Sequence, residues 1–237
     1  MKNRTLAMLS AVLIFSIGTL GTLADGTHAH AEEGFQSIFD GKTLEGWDGK
    51  EQFWSVEDGA ITGTTTPENP TKGNTFIIWK DGELKDFELK MKFRIVGGNS
   101  GIQFRSKDLG NHVVGGYQAD FDGGGNWTGT LYEEKGRGIL AKRGQKVEIT
   151  EDGKKKAVGT TTPEKEILDA YKKEEWNDYR IVAKGNQITL EVNGLTTVEL
   201  TDNEASKRAE SGILALQLHA GPPMTVQFKD IQLKELK

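Results

Sequence analysis

The sequence predicts an all-β protein: an antiparallel β-sandwich in a single domain, with one short helix. Three observations carry this reading. Short runs of period-two alternation recur along the chain, each the mark of a half-buried strand. Turn residues punctuate them, with 30 glycines among 237 residues. Long patterns with a 3.6-residue period are nearly absent.

The elements follow in order. Lys2 and Arg4 precede an apolar run, Leu6 to Leu20, and Ala29-His30-Ala31 follows as a small-x-small cleavage signature. Residues 1–31 therefore read as a signal peptide and 32–237 as the mature domain. An uncleaved anchor helix is the alternative, but the run is short of the roughly 20 apolar residues a span needs. Phe53 to Val56 and Ile61 to Thr64 flank Asp58-Gly59, a hairpin signal. Thr75 to Trp79 is the next strand. From Asp86 to Val96, Phe87, Leu89, Met91, Phe93 and Ile95 share one face, and Glu88, Lys90, Lys92 and Arg94 the other. Ser100 to Arg105 follows a Gly97-Gly98-Asn99 turn. Further strands are expected at Tyr117 to Phe121 and Leu131 to Glu134. Residues 150–160, with Lys154-Lys155-Lys156, read as an exposed loop. Thr162 to Glu175 reads as the helix, with Thr162 as N-cap and Pro163 at the first helical position. Tyr179 to Ala183, Ile188 to Val192 and Thr196 to Leu200 form a meander, with Asn193-Gly194 predicting a type I′ turn. Gly212 to His219 and Met224 to Leu233 close the set.

Composition excludes several function classes. A net charge of −5 without a basic cluster argues against nucleic-acid binding, which phosphate neutralisation dominates. No second apolar stretch is long enough for a membrane span once the signal is removed. The absence of cysteine rules out a thiol nucleophile, a thiolate metal site and a lipid anchor on sulfur. An exported domain of this size buries enough core to fold without disulfides.

Strand parity then picks out candidate site residues. Gln103 and Arg105 oppose Ile102 and Phe104. Gln118 and Asp120 oppose Ala119 and Phe121. Glu134 and Tyr132 oppose Leu131, and Gln217 and His219 oppose Leu216 and Leu218. Tyr117 and Tyr132 add aromatic rings with hydroxyl handles. If these faces converge they form a polar concave surface suited to a sugar, whose hydroxyls need donors and acceptors and whose ring faces pack on aromatics. An ordinary solvent-facing sheet is the alternative, but it favours Lys, Glu and Thr over Gln, His and Tyr. His219 ends its strand just before Ala220-Gly221-Pro222-Pro223, and imidazole titrates near neutrality. Asp120 to Asn126 faintly resembles a calcium loop but lacks the closing Glu. Asn126-Trp127-Thr128 matches a glycosylation acceptor.

The motifs resemble a known family. Phe39-Asp40-Gly41-Lys42-Thr43-Leu44-Glu45-Gly46-Trp47 is similar to the opening of the DUF1080 domains, the 3-keto-disaccharide hydrolases or 3-keto-glucoside 1,2-lyase/3-keto-2-hydroxy-glucal hydratases. Trp54 to Gly59, Gly98 to Arg105, Gly116 to Asp120, Glu175 to Tyr179, Val192 to Gly194, Leu216 to His219 and Phe228 to Ile231 follow in family order. The likeness runs over residues 35–237. It implies a concanavalin A-like jelly roll and a carbohydrate substrate, an oxidised disaccharide or glycoside. It also implies chemistry in which a C3 ketone acidifies the C2 proton, the C1 glycosidic oxygen leaves, and water adds back. That needs a base, an electrophile and an acid: His219, then Arg105 or a divalent metal, then Glu134 or Asp120. Gln103, Tyr117, Gln118, Tyr132 and Gln217 are the substrate-binding candidates. The rivals are a non-catalytic carbohydrate-binding jelly roll and a classical retaining glucanase, the latter without its closely spaced acidic motif. The expected location is periplasmic or extracellular.

Overall fold

The computed structural model describes residues 34–237; the expected signal peptide lies outside the described residues. The first half contributes β1 (Gln36–Ser37), β2 (Trp47–Asp48), β3 (Trp54–Glu57), β4 (Ala60–Thr65), β5 (Thr75–Trp79), β6 (Phe87–Val96), β7 (Asn99–Asp108) and β8 (Val114–Asp122). Then come β9 (Thr130–Glu134), β10 (Gly138–Ala141), β11 (Gln145–Ile149), β12 (Lys155–Thr160) and the helix α1 (Glu164–Ala170). The chain closes with β13 (Asn177–Lys184), β14 (Gln187–Val192), β15 (Leu195–Asp202), β16 (Ile213–Leu218) and β17 (Met224–Glu235).

Two sheets form a jelly-roll sandwich. The ten-stranded sheet runs β12-β11-β15-β14-β13-β6-β17-β4-β3, with β1 added on β17; the seven-stranded sheet runs β10-β9-β8-β7-β16-β5-β2. Neighbours pair antiparallel throughout, except β11 with β15. Alternation explains the layers. Phe87, Leu89, Met91, Phe93 and Ile95 of β6 are buried inward, against Ile102, Phe104, Ala119 and Phe121 of the facing sheet. Phe93 and Phe121 meet across the layers at 4.2 Å between ring centroids, and Phe121 stands edge-on to Phe228 at 5.9 Å. Each such side chain contributes roughly 1.5–3 kcal/mol by leaving water. The turn chemistry agrees: Asn193 and Gly194 have φ of 50° and 77°, the pair of positive values a type I′ turn needs.

Two local expectations need correction. The helix covers Glu164–Ala170 rather than 162–175. Pro163 is the N-cap, extended at φ −53° and ψ 137°, and no side chain caps the end. Tyr171 leaves the helix in an extended conformation, and its hydroxyl donates to the Asp122 carbonyl at 2.9 Å. Residues 155–160, expected in a loop, form the edge strand β12, paired to β11. Every residue of β12 is exposed, so no apolar face marks it in the sequence. Its lysines suit an edge that must resist pairing with another chain. Among the described residues no helix is long and apolar enough to cross a membrane.

Candidate functional site

The outer face of the seven-stranded sheet carries the candidate site. Register brings Gln103 opposite Gln118, Gln118 opposite Tyr132, and Gly116 opposite Glu134. β16 lies on the other side of β7, with Ala215 opposite Gln103. Gly101 leaves room for this arrangement: a Cβ there would lie 2.4 Å from the Gln118 Cγ. Above these strands opens a cleft of about 330 Å³, lined by Asn99, Gln118, Asp120, Trp127, Tyr132, Glu134, Ile139, Gln217 and His219.

His219 sits where β16 breaks into the turn. Its Nδ1 lies 2.5 Å from the Ala220 carbonyl oxygen. A carbonyl only accepts, so Nδ1 holds the proton and Nε2 of the neutral ring is left as an acceptor. The Ala220 N–H donates to Asn74 Oδ1 at 3.0 Å, which pins the turn.

Asp120 is 6% exposed. Burial pushes its carboxyl up to about 7, against a hydrogen bond from Gln118 that favours the ionised form; Glu134 and Asp122 add repulsion. Gln118 Nε2 donates to Oδ1. Protonation therefore falls on Oδ2, making it a donor near neutral pH.

Asp122 closes the loop after β8. It accepts from the Trp127 N–H at 2.7 Å, Asn126 Nδ2 at 3.1 Å and the Gly124 N–H at 3.2 Å. Its oxygens are thus occupied by the loop itself, and the calcium-loop likeness has no chelating carboxylate here. The closed loop presents Trp127, 45% exposed, at the mouth of the cleft. Among the described residues no three His, Asp or Glu side chains group closely enough to hold a metal ion. A divalent metal does not fit this donor set.

The sequence candidates sort into three positions. Gln118, Asp120, Tyr132, Glu134, Gln217 and His219 share the cleft. Gln103 lies beneath it, fully buried and bonded to Gln118. Arg105 and Tyr117 are corrections. A register shift interrupts β7 between Phe104 and Lys107, and Arg105 takes a φ of 45°. Its side chain turns from the cleft to the opposite sheet, donating to the Lys85 carbonyl at 2.6 Å, the Gly185 carbonyl at 2.7 Å and Asp86 at 2.9 Å. Tyr117 points into the core, and its hydroxyl donates to Asp202 at 2.5 Å. Neither reaches the cleft. Trp127, Asn99 and Ile139 were not anticipated; an aromatic in a glycine-rich loop beside candidate strands was the available signal for Trp127.

A larger depression of about 590 Å³ lies nearby, and Glu134 lines it too. Its buried arginines are already paired: Arg137 with Glu133 at 2.8 Å, Asp202 at 2.7 Å and Glu204 at 3.2 Å, and Arg105 with Asp86 at 2.9 Å. The smaller cleft holds the imidazole, with its Nε2 unbonded, and the carboxyl groups of Asp120 and Glu134.

Comparisons with known proteins agree with this architecture. A 3-keto-disaccharide hydrolase of Bacteroides thetaiotaomicron is 34% identical over 87 residues, 32% of this chain and 29% of that protein. The match thus spans less than a third of the relative's length. Among solved structures, a proposed glycosyl hydrolase from Parabacteroides distasonis ATCC 8503 superposes with a TM-score of 0.56 at 20% identity, over 85% of this chain and 99% of the other. The carbohydrate binding module CBM66 from Bacillus subtilis gives 0.54 at 13% identity, over 80% and 96%. At such identities the likeness speaks to fold alone. The family profile described as the 3-keto-alpha-glucoside-1,2-lyase-like domain matches residues 34–234. With nearly all of the described fold inside that match, the chain belongs to the 3-keto-alpha-glucoside-1,2-lyase-like domain family.

Proposed function

We propose that the protein cleaves 3-keto-glycosides by elimination followed by hydration. One observation carries the reading: an imidazole with its Nδ1 tied to a carbonyl and its Nε2 free shares a small cleft with two carboxyl groups, one of them held near neutrality by burial. The ketone at C3 makes the C2 proton removable. His219 Nε2 takes that proton, and the electron pair moves onto the C3 oxygen as an enolate. Protonated Asp120 donates a hydrogen bond to that oxygen, the role the sequence reading gave to Arg105 or a metal. The enolate re-forms the C3 carbonyl and a C1–C2 double bond as the C1–oxygen bond breaks. Glu134 relays to the departing oxygen the proton that His219 has taken, so both side chains return to their starting state. Addition of water, H to C2 and OH to C1, then restores a 3-keto sugar, so the net change is hydrolysis. Trp127 and Tyr132 offer ring faces to the sugar. Incubation with a 3-keto-disaccharide and its unoxidised parent, with and without chelator, tests this. Cleavage of the oxidised sugar alone supports it; equal cleavage of both, or of neither, counts against it.

A second reading, a non-catalytic carbohydrate-binding module, draws on Trp127 exposed at the mouth and on the fold shared with CBM66. Glycan binding without turnover of any 3-keto sugar would favour it. We also propose export, on the apolar run Leu6 to Leu20 and the Ala29-His30-Ala31 signature. N-terminal sequencing of the exported protein should begin at Glu32.

A further inference from the structure

Behind the cleft, a set of polar side chains is joined so that all its donors run one way. Ser106 Oγ donates to Gln103 Oε1 at 2.6 Å, and Gln103 Nε2 to Gln118 Oε1 at 2.5 Å. Gln118 Nε2 then donates to Asp120 Oδ1. Gln217 Nε2 meets the same Gln118 Oε1 at 3.0 Å. The sense is forced from one end. Asp120 Oδ1 accepts whether or not Oδ2 carries a proton, so Gln118 turns its NH₂ to Asp120 and its carbonyl away. The two amides that meet this carbonyl must then both offer N–H.

The consequence reaches the ligand. With its nitrogen committed, Gln217 has its Oε1 left without a partner, although the side chain is fully buried and lines the cleft. A buried acceptor is costly unless something donates to it. The titratable groups around Asp120 are Glu134, Asp122, Tyr132 and Tyr179. His219 lines the same cleft, and the Gln118 amide is the hydrogen-bond donor that favours the carboxylate.

We propose that Ser106→Gln103→Gln118→Asp120 is a directional hydrogen-bond relay, with Ser106 and Gln103 as positioning residues, and that it obliges Gln217 Oε1 to accept from one hydroxyl of the bound sugar. The ligand half rests on the reading of the cleft as a sugar site; the relay half does not.

An isosteric swap separates polarity from packing. Gln103→Glu keeps the shape and, above the pH at which it ionises, offers Gln118 only acceptors, which turns that amide's carbonyl toward Asp120. Gln103→Met removes the donor without reversing it. Carbon NMR of the Asp side chains should show the Asp120 titration rising in the order parent, Gln103→Met, Gln103→Glu, by a pH unit or more in the last. Titration calorimetry with methyl 3-keto-glucoside and its 2-, 4- and 6-deoxy and fluoro counterparts, with His219→Ala added to every protein so that the sugar is bound but not cleaved, reads the ligand half. In the parent, one position should lose about tenfold on deoxygenation and equally on fluorination, because fluorine does not donate. In Gln103→Glu that discrimination should collapse. Thermal melts accompany every variant, and if Gln103→Glu fails to fold, Ser106→Ala and Gln217→Met replace it. Ser106→Ala should shift Asp120 in the same direction, and Gln217→Met should erase the hydroxyl discrimination. Asp120 titrating alike in all variants overturns the relay. A parent that binds no sugar overturns the sugar reading and leaves the Asp120 titration to decide the relay alone.

Discussion

The outer faces of the two sheets obey the same alternation and come out differently. On the ten-stranded sheet the outward residues are long and charged. Arg180 reaches Glu88 at 2.6 Å and Glu191 at 2.8 Å, and Lys92 reaches Asp178 at 2.6 Å, across strands and in contact with water. On the seven-stranded sheet the outward residues are Gln103, Gln118, Asp120 and Gln217, and none is more than 6% exposed. They point away from the core and are buried all the same, because the Trp127 loop, Ile139 and the turn at His219 border the space above them. A charged stem in water makes loose pairs. A short amide out of water must be hydrogen-bonded with definite polarity. Facing outward and being exposed are separate properties, and the candidate site lies where they part.

That contrast can be broken or sharpened, starting with the largest expected effect on turnover. His219→Ala should lower turnover of a 3-keto-glycoside by about 10²–10⁴, with stability within about 0.5 kcal/mol of the parent. Turnover within a few fold of the parent would remove His219 from the chemistry. Asp120→Ala should cost about 10²–10³ in kcat, whereas Asp120→Asn keeps a donor in place and should cost less. The parent's kcat should fall above about pH 7 as Asp120 ionises, and the Asn variant should lose that limb. Stability carries a matching sign. The folded carboxyl is raised above its unfolded value of 3.8, so the native state binds more protons between about pH 4 and 7 and stability falls as pH rises through that window. Asp120→Asn should therefore melt higher than the parent at pH 7.5 and lose the advantage below pH 4; melts across that range decide it. Trp127→Ala should weaken sugar binding by about tenfold, the loss of one aromatic face, with unchanged far-UV circular dichroism. Arg105→Met should destabilise by about 1.5–3 kcal/mol, as charged hydrogen bonds are lost, while any kcat/KM of the folded protein on a 3-keto-glycoside stays within a few fold. Lys92→Ala, on the opposite face, should change stability by less than about 1 kcal/mol and turnover not at all.

How much of this was legible depends on where water lies. β6 and the β13–β15 meander stand out in the sequence because one face of each is wet and the other dry. β12 is wet on both faces, and β1 and β2 are two residues long, so none leaves a period to read. In the cleft, parity placed Gln118 and Asp120 on the face opposite Ala119 and Phe121. The same parity put Tyr117 with the core, and its hydroxyl made it look like a ligand contact when it serves Asp202 instead. Arg105 was misplaced because a bulge at a non-glycine residue leaves no composition signal. Trp127 lies in a loop, where no periodicity exists to point its ring.

The bulge in β7 does more than redirect one arginine. It lifts Arg105 out of a strand whose flanking Gln103 and Ser106 serve the cleft side, and that one side chain clamps the two layers together. The division works as a mechanical insulator. Selection can retune the residues toward the cleft without slackening the clamp, and can tighten the clamp without disturbing the cleft. Deleting the extra residue would fuse the two tasks, since every side chain beyond that point would swap faces.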